Sequence, residues 1–272
     1  MSAVALPSDA TVSQQAQFIG QATAIEQARA VAEVQAAVVV AQNVPRSMDR
    51  ANHEMRDTCG RLALAQRAFY SVPNRGNGPS VHLARELARI WQNIQYGVHE
   101  LRRDDAAGES EVQAFAWDVQ ANVRSTRTFI VPHARMKGGK RQALTDLGDI
   151  YLSNQNVGAR AVRECIFTVL PTWFTEEAQD ICRRTLEHGE GVPHEERVTK
   201  MIAAFKAIPV TVDQLEAKIG RERGKWTAAD VAQMTVVYQS ITRDHVPVDE
   251  EFPPIRVTAA EIVAPTNLLG AS

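Results

Sequence analysis

The sequence predicts an α+β fold in which a small antiparallel three-stranded meander is covered by helices, with a long N-terminal helix and a C-terminal helical module. Three strand-like runs follow one another with very short connections between residues 94 and 131, and runs with helical periodicity lie on both sides of them. Short connections favour antiparallel pairing, because parallel strands need a crossover of roughly a dozen residues. The predicted domains are an N-terminal oligomerisation helix at 1–44, an α+β core at 45–208, a helical module at 209–245 and a flexible tail at 246–272.

The composition is that of a globular, water-soluble chain. Of its 272 residues 44% are hydrophobic and 23% charged, with 32 acidic against 30 basic side chains. There is no apolar run of the roughly 18 residues that a membrane span needs, and the first residues lack a signal-peptide pattern. Three widely spaced cysteines are typical of reduced thiols. We therefore expect a cytoplasmic protein with no membrane partner.

An Ala-, Gln- and Val-rich segment predicts a helix from about residue 13 to residue 43, which Pro45 ends. It contains few charges. The apolar positions that fall on one face at helical spacing are Ile25, Ala28, Ala32, Ala36 and Val39. An apolar helix with so little charge favours burial against a partner, and a second copy of the chain is the partner we expect.

The next segments predict two helices separated by a loop. Ser47 begins the first of them, and the Gly- and Pro-containing stretch 71–80 is predicted to be a loop. Ser80 is placed to cap a helix over residues 81–91, on which Arg85 and Arg89 lie one turn apart. These two arginines form a candidate cationic stripe.

The three predicted strands span residues 94–103, 111–119 and 123–131, with turns at 104–109 and 120–122. In the second strand Phe115 and Trp117 fall on the same face. Bulky aromatic residues that alternate with other residues favour the core side of a sheet. We therefore expect both side chains in the core rather than at a binding surface.

The segment 119–145 has a strong local positive charge, since it contains no Asp or Glu and carries the basic residues Arg124, Arg127, Arg135, Lys137, Lys140 and Arg141. Its first half is the third strand, and its second half contains Gly138 and Gly139 and predicts a flexible loop. A Walker A motif is absent. The alternatives are an anion-binding surface and a solvated loop.

Helices are predicted after this segment at 144–152, 157–170, 175–187 and 195–208. The second of these is expected to cover the sheet, and it presents Arg160 and Arg163. The module at 209–245 predicts one helix over 212–219 and another that begins with a capping box at Thr227 and Asp230. A DNA-reading helix-turn-helix over 211–242 is one interpretation of this pattern, and the stacking of two ordinary helices is the other.

The sequence lacks the motifs of the common catalytic sites, including nucleophile elbows, zinc-protease motifs and dinucleotide fingerprints. Asp118, Asp146 and Asp149 suggest at most a metal-dependent nuclease, and positions in turns or at helix caps explain them as well. We expect no enzyme activity and no cofactor. The basic residues, with Tyr70, Trp91, Tyr96 and Trp117 in the same parts of the chain, instead suit a single-stranded nucleic-acid binder that uses phosphate contacts and base stacking. For each of these aromatic residues, Trp117 included, a core position is the favoured alternative.

Several stretches resemble the phage single-strand annealing recombinases of the RecT/Red-beta type. The resemblance covers roughly residues 45–245 and rests on the order of elements and on the stretches WQNIQYGVHEL, AFAWDVQANVRSTRTFIVPHARMKGGKR, VRECIFTVLP and VTVDQLEAKIG. It implies ATP-independent annealing of complementary single strands by a homo-oligomer that forms a ring or a helical filament. It also implies a continuous basic groove, with a phage exonuclease or a host single-strand-binding protein as a further partner. The corresponding groove residues here are Arg124, Arg127, Arg135, Lys137, Lys140, Arg141, Arg160 and Arg163, to which the charge pattern adds Arg85 and Arg89.

Overall fold

The computed structural model describes residues 21–72, 76–137 and 140–253 and has a mixed α and β architecture. Its central sheet has three antiparallel strands in the order β3, β4, β5. Two separate hairpins, β1 with β2 and β6 with β7, flank it in the sequence. The strands are β1 Phe69–Val72, β2 Gly76–Pro79, β3 Ile94–Asp104, β4 Glu109–Asp118, β5 Val123–Pro132, β6 Ala134–Lys137 and β7 Lys140–Ala143.

Ten α-helical segments lie within these described ranges. They are α1 Gln21–Asn43, α2 Met48–Cys59, α3 Leu62–Ala65, α4 Val81–Trp91, α5 Leu147–Val169, α6 Thr172–His188, α7 His194–Ala207, α8 Val212–Ile219, α9 Ala228–Thr242 and α10 Val248–Glu251. The caps predicted at Ser80 and Thr227 are present, since Ser80 accepts from the Leu83 amide and Thr227 forms a capping box with Asp230. Ser47 also caps α2 by accepting from the Arg50 amide. None of the helices in the described ranges combines the length and the apolar composition needed to cross a bilayer.

One face of the central sheet packs against α5. The β4 residues on this face are small or aliphatic and fully buried, namely Val112, Ala114 and Ala116. The helix approaches closely, since the Cys165 thiol lies 3.7 Å from the carbonyl oxygen of Ala114. A side chain on Gly158 of α5 would overlap Val98 of β3. The small residues therefore allow α5 to lie directly on the strands.

The buried apolar residues form two clusters. The first joins α2, α4, α5 and α6 to the sheet, and the second joins α7, α8, α9 and Phe252. The second cluster thus begins with α7, ahead of the boundary predicted at residue 209. Helix α9 belongs to both clusters, with Ala232 and Val236 in the first and Val231 and Met234 in the second.

The three central strands were predicted to within two residues at each end, and they form a three-stranded antiparallel sheet. Other predictions were wrong. The loop predicted at 71–80 overlaps the hairpin of β1 and β2, which begins at Phe69, and the loop predicted after β5 is the hairpin of β6 and β7. The two helices predicted over 144–170 are the single helix α5.

At both ends of the chain the prediction extends beyond the residues that the structure describes. Helix α1 is described from residue 21, so its predicted start at residue 13 lies outside the described residues. The first part of the predicted flexible tail is packed, because Phe252 is buried and the Glu251 carboxylate forms an ion pair with Lys218 at 2.7 Å. The remainder of the tail, 254–272, also lies outside the described residues.

Candidate nucleic-acid interface

The basic residues of β5 lie on opposite faces of the sheet. Arg127 pairs in register with the buried Ala114 and so lies on the side of α5, at its exposed edge. Arg124 pairs with Trp117 and lies on the other side. No helix of the described chain covers this second side, which we call the open face. A single surface on the sheet therefore does not hold both arginines.

The residues of the open face follow from the strand register. One half of the open face contains uncharged and basic residues and no acidic ones. These are Gln95, Gly97 and His99 of β3, Gln113, Phe115 and Trp117 of β4, and Arg124, Thr126 and Thr128 of β5. The acidic residues Asp104, Glu109 and Glu111 lie at the other end, with Arg102 and Ile130. The open face is therefore polarised along its strands.

The hairpin of β6 and β7 carries the densest positive charge. Its register places Lys137 opposite Lys140 and Arg141 opposite Met136. Lys140 and Arg141 are exposed, whereas the side chain of Lys137 lies outside the described part of the structure. Arg135 is half exposed, and its guanidinium is 4.0 Å from the carboxylate of Asp149. Among the described residues, no carboxylate lies within ion-pair distance of Lys140 or Arg141.

A buried polar group fixes the base of this hairpin to the sheet. His133 donates its backbone N–H to the Gly108 carbonyl at 2.7 Å, and its own carbonyl accepts from Leu144 at 2.8 Å. Its Nε2 lies 2.8 Å from the Ser110 hydroxyl, which donates to the Glu100 carboxylate at 2.8 Å. His133 and Ser110 are both buried. His133 is therefore a buried residue with satisfied hydrogen bonds rather than a free phosphate donor.

The arginines of α5 have different environments. Arg160 is exposed and has no carboxylate within ion-pair distance among the described residues. Arg163 is mostly buried, forms a 2.7 Å ion pair with Glu164 and lies 4.6 Å above the ring of Tyr70. Arg160 is therefore the better placed of the two to contact an anion.

The two arginines of α4 also differ. Arg89 donates to Glu54 at 2.6 Å and to Glu86 at 2.8 Å, and these hydrogen bonds raise the pKa of Arg89. Its charge is already neutralised by these two carboxylates. Arg85 is exposed and lies near a histidine whose pKa is lowered, since burial of His82 and the nearby positive charges disfavour its protonated form. The structure thus does not align Arg85 and Arg89 as one free cationic stripe.

Asp118 belongs to a buried structural network rather than to a metal site. Its carboxylate accepts from Arg46 at 2.5 Å, from the Trp91 indole at 3.1 Å and from the Ala121 amide at 2.9 Å. Burial acts to raise the pKa of Asp118, but the hydrogen bonds from Arg46, Ala121 and Trp91 outweigh burial and lower it. Trp91 is therefore a core residue that binds this carboxylate.

Asp146 also has a structural role, since it caps the N-terminus of α5 by accepting a hydrogen bond from the Asp149 amide at 3.0 Å. Across the residues that the structure describes, no group of three or more His, Cys, Asp or Glu side chains is placed to hold a metal ion. These positions give the nuclease interpretation no structural support.

Two of the aromatic residues were assigned to the wrong side of the sheet by the sequence. Phe115 and Trp117 lie on the open face and are partly exposed, while Ala114 and Ala116 at the alternate positions face α5. The signal that could have revealed this was the row of small residues at the alternate positions of β4. Sequence reasoning also missed His99, whose ring is parallel to that of Phe115 at a centroid distance of 5.2 Å.

The geometry of α9 argues against a helix-turn-helix that reads duplex DNA. A recognition helix must expose one side to enter the major groove. Helix α9 is buried on several sides, through Val231, Ala232, Met234, Val236, Val237, Ser240 and Ile241. In the turn before it, Arg221 is bound to Asp230 at 2.6 Å and Lys225 to Glu222 at 3.1 Å. Helix α9 therefore lacks a free side of the kind that a recognition helix presents to the major groove.

The chain matches no protein-family model, no curated protein and no solved structure. The resemblance to annealing recombinases therefore rests on the order of elements and on the sequence stretches alone.

Proposed function

We propose that the protein binds single-stranded DNA and anneals complementary strands without ATP, as a homo-oligomer in phage homologous recombination. The observation that supports this most directly is the hairpin of β6 and β7. It follows β5 without a break and exposes Lys140 and Arg141, which have no carboxylate partner among the described residues. Exposed cations of this kind attract phosphate groups, since binding releases the counterions condensed on the nucleic acid.

Annealing makes few chemical demands on a protein. It needs phosphates that are neutralised, so that two like-charged strands can approach, and bases that are kept out of intramolecular hairpins. It needs no nucleophile, general base or metal. The structural roles of Asp118, in a buried ion pair, and of Asp146, at the exposed cap of α5, are compatible with a protein that acts by binding alone.

Helix α1 supports the proposed assembly of several copies. Among the side chains of α1 that the structure describes, from residue 23 on, Ala41 is the only buried apolar one, and several are exposed: Ile25, Val31, Val34, Val39 and Val40. These residues are distributed around the helix axis rather than along one stripe. A long helix with exposed apolar side chains on several sides favours burial between neighbours. We propose a second copy of the chain as the partner of α1.

The experiment that tests the function is annealing of two complementary labelled oligonucleotides without ATP, at low and high salt. The double variant Lys140→Ala/Arg141→Ala removes two hairpin cations. The control Lys200→Ala/Lys206→Ala removes the same charge from α7, away from the sheet. We expect annealing by the parent and the control, and loss of annealing in the hairpin variant.

The salt dependence of binding gives a quantitative check. Each phosphate contact of a single strand contributes about 0.7 to the slope of log affinity against log salt concentration, so losing two contacts lowers the slope by roughly 1.4. A parent that binds neither strand would contradict the proposal. Equal losses in the hairpin variant and the α7 control would show that net charge, and not this surface, governs binding.

A further inference from the structure

We infer that the open face of the sheet is a base-stacking surface for single-stranded DNA, with Phe115, Trp117 and His99 as the groups that the bases contact. This inference rests on the proposed function and names a second part of its binding site. The hairpin would hold phosphates, and the open face would hold bases. The two parts belong to consecutive segments of the chain, because β5 forms one edge of the open face and leads directly into the hairpin.

The first argument is the arrangement of planar groups. The rings of His99 and Phe115 are parallel, with an interplanar angle of 3°. The guanidinium of Arg124 lies 5.8 Å from the Phe115 ring centroid, and Trp117 is directly opposite Arg124 in register. Aromatic rings and guanidinium groups are the side chains on which unpaired bases stack. Here they form one row across three strands.

The second argument is that the fold supports this exposed row. A side chain on Gly97 would come within 2.9 Å of the Phe115 ring, so the ring occupies space that only a glycine leaves free. Glycine in the interior of a strand is unfavourable, at roughly 0.5–1 kcal/mol relative to alanine. Trp117 is held by a 3.4 Å hydrogen bond from its indole N–H to Asn122. The aromatic rings therefore have defined positions although no helix of the described chain covers them.

The third argument is charge. The half of the open face that carries these rings holds Arg124 and has no carboxylate, whereas the acidic residues are confined to the other end. Polar groups that do not repel phosphate, such as Thr126 and Gln113, surround the rings. A hydrophobic protein partner would not require this separation of charge, but a polyanion whose bases stack on the rings does.

The test compares binding of oligothymidylate with binding of an abasic oligonucleotide of the same number of phosphates. The two ligands differ only in their bases. We expect the parent to prefer oligothymidylate. Phe115→Ala and Trp117→Ala should each weaken oligothymidylate binding by roughly 5- to 150-fold, the range expected for the loss of one stacked base. Binding of the abasic oligonucleotide should not change.

The matched control is Ile130→Ala, which removes an apolar side chain, 50% exposed, from the acidic end of the same face. It should bind both oligonucleotides as the parent does. The hairpin variant Lys140→Ala/Arg141→Ala should behave differently from the Phe115 and Trp117 variants. Because it loses phosphate contacts, it should bind both oligonucleotides more weakly, and by the same factor. Circular dichroism of each variant establishes that it is folded.

Fluorescence gives a second readout that requires no substitution of Phe115 or Trp117. Trp91 and Trp226 are buried, and Trp173 is exposed, so the variant Trp173→Phe leaves Trp117 as the tryptophan open to a ligand. We expect oligothymidylate to quench its emission and the abasic oligonucleotide to leave it unchanged.

Two negative results have different meanings. If the parent binds and anneals strands but shows no base preference and no quenching, the base-stacking surface is wrong and the proposed function stands. If the parent binds neither oligonucleotide, both the proposed function and the base-stacking surface are wrong.

Discussion

The guanidinium of Arg46 and the carboxylate of Asp118 form a buried ion pair at 2.5 Å, with side chains that are 7% and 2% exposed. The guanidinium also lies 4.6 Å from the centroid of the Trp91 ring. Arg46 follows α1 closely in sequence, and Asp118 ends β4. The ion pair therefore links the segment that follows α1 to the C-terminal end of β4 in the central sheet.

We expect removal of either partner to destabilise the protein strongly. Arg46→Ala leaves a buried carboxylate without its counter-charge, and the loss of one member of such a pair costs about 3–5 kcal/mol of unfolding free energy. Urea unfolding followed by circular dichroism measures this loss. Arg50→Ala is the matched control, because Arg50 is exposed and its contact with Glu54 is 3.9 Å long. Similar unfolding midpoints for the two variants would contradict the prediction.

The same carboxylate predicts a pH dependence of stability. Because the pKa of Asp118 is lowered in the folded state, the unfolded chain binds the proton more readily. The contribution of Asp118 is therefore fully present above its ordinary pKa of about 3.9, and it is lost as the pH falls through the lower, folded-state pKa. Asp118→Asn should have a shallower decrease in unfolding free energy below about pH 4 than the parent. Parallel pH profiles of parent and variant would disprove this role.

Deletion of residues 1–43 should give a folded protein that no longer forms large assemblies. The deletion removes the exposed apolar surface of α1 and keeps Arg46 with its partners. Sedimentation velocity should show smaller species than the full chain forms. Far-ultraviolet circular dichroism should show that the remaining helices are unchanged. A second variant, with Val31, Val34, Val39 and Val40 replaced by Gln, keeps the helix and removes its apolar side chains. Unchanged sedimentation of both variants would rule out α1 as the contact between copies.

The cysteines should be unreactive in the folded protein. Cys59, Cys165 and Cys182 are buried, and the hydrogen bond between the thiols of Cys59 and Cys182, together with burial, raises the pKa of Cys182. Since the thiolate is the reacting species, an aromatic disulfide reagent should modify no cysteine in the native protein and all of them in denaturant. Ala63→Cys on the exposed side of α3 is the positive control and should react at once. Rapid modification of the native parent would contradict the buried positions.

Phe252→Ala should destabilise the second cluster. The ring is 3% exposed and contacts Phe205 edge-on at a centroid distance of 5.4 Å. Truncation of a buried Phe costs about 3–5 kcal/mol, through lost transfer free energy and the cavity left behind. Glu250→Ala, at an exposed position two residues earlier, should stay within about 0.5 kcal/mol of the parent in the same urea titration. Equal stabilities of these two variants would mean that this part of the tail is not packed in solution.

The strands that could be predicted are those whose signal is local. Alternating residues and short turns define β3, β4 and β5, so their positions follow from the sequence. Strand β2 has the sequence GNGP and β7 the sequence KRQA, and neither has the apolar alternation of a strand. They form because each pairs with a neighbour just before it in the chain. Backbone pairing of this kind leaves no hydrophobic pattern to detect.

The side of the sheet that α5 covers could not be predicted from hydrophobicity. On β4 the bulkier residues, Phe115 and Trp117, face away from α5, and Ala114 and Ala116 face it. Close contact between helix and strand requires small side chains on both, and Gly158 provides the matching space on the helix. This requirement depends on which helix packs where, which is information about tertiary structure.

The basic segment illustrates the same limit for the candidate site. Its charge was evident from the sequence, and the exposure of Lys140 and Arg141 fits the prediction. The sequence did not reveal that Arg124 and Arg127 lie on opposite faces, or that Arg89 and Arg163 are bound to carboxylates. Neutralisation of a cation depends on acidic residues brought near by the fold, and for Arg89 one of them is 35 positions away.

Helix α9 joins the two clusters, and Ser240 on this helix accepts a 2.9 Å hydrogen bond from the backbone N–H of Ser71 in β1. The two clusters are thus thermodynamically linked. A ligand that binds only the folded chain stabilises both of them, by an amount set by its concentration relative to its dissociation constant. Trp226, buried in the second cluster, is then a natural reporter of this linkage. The midpoint of thermal unfolding, followed by tryptophan emission, should move to higher temperature when a ligand occupies the open face of the sheet.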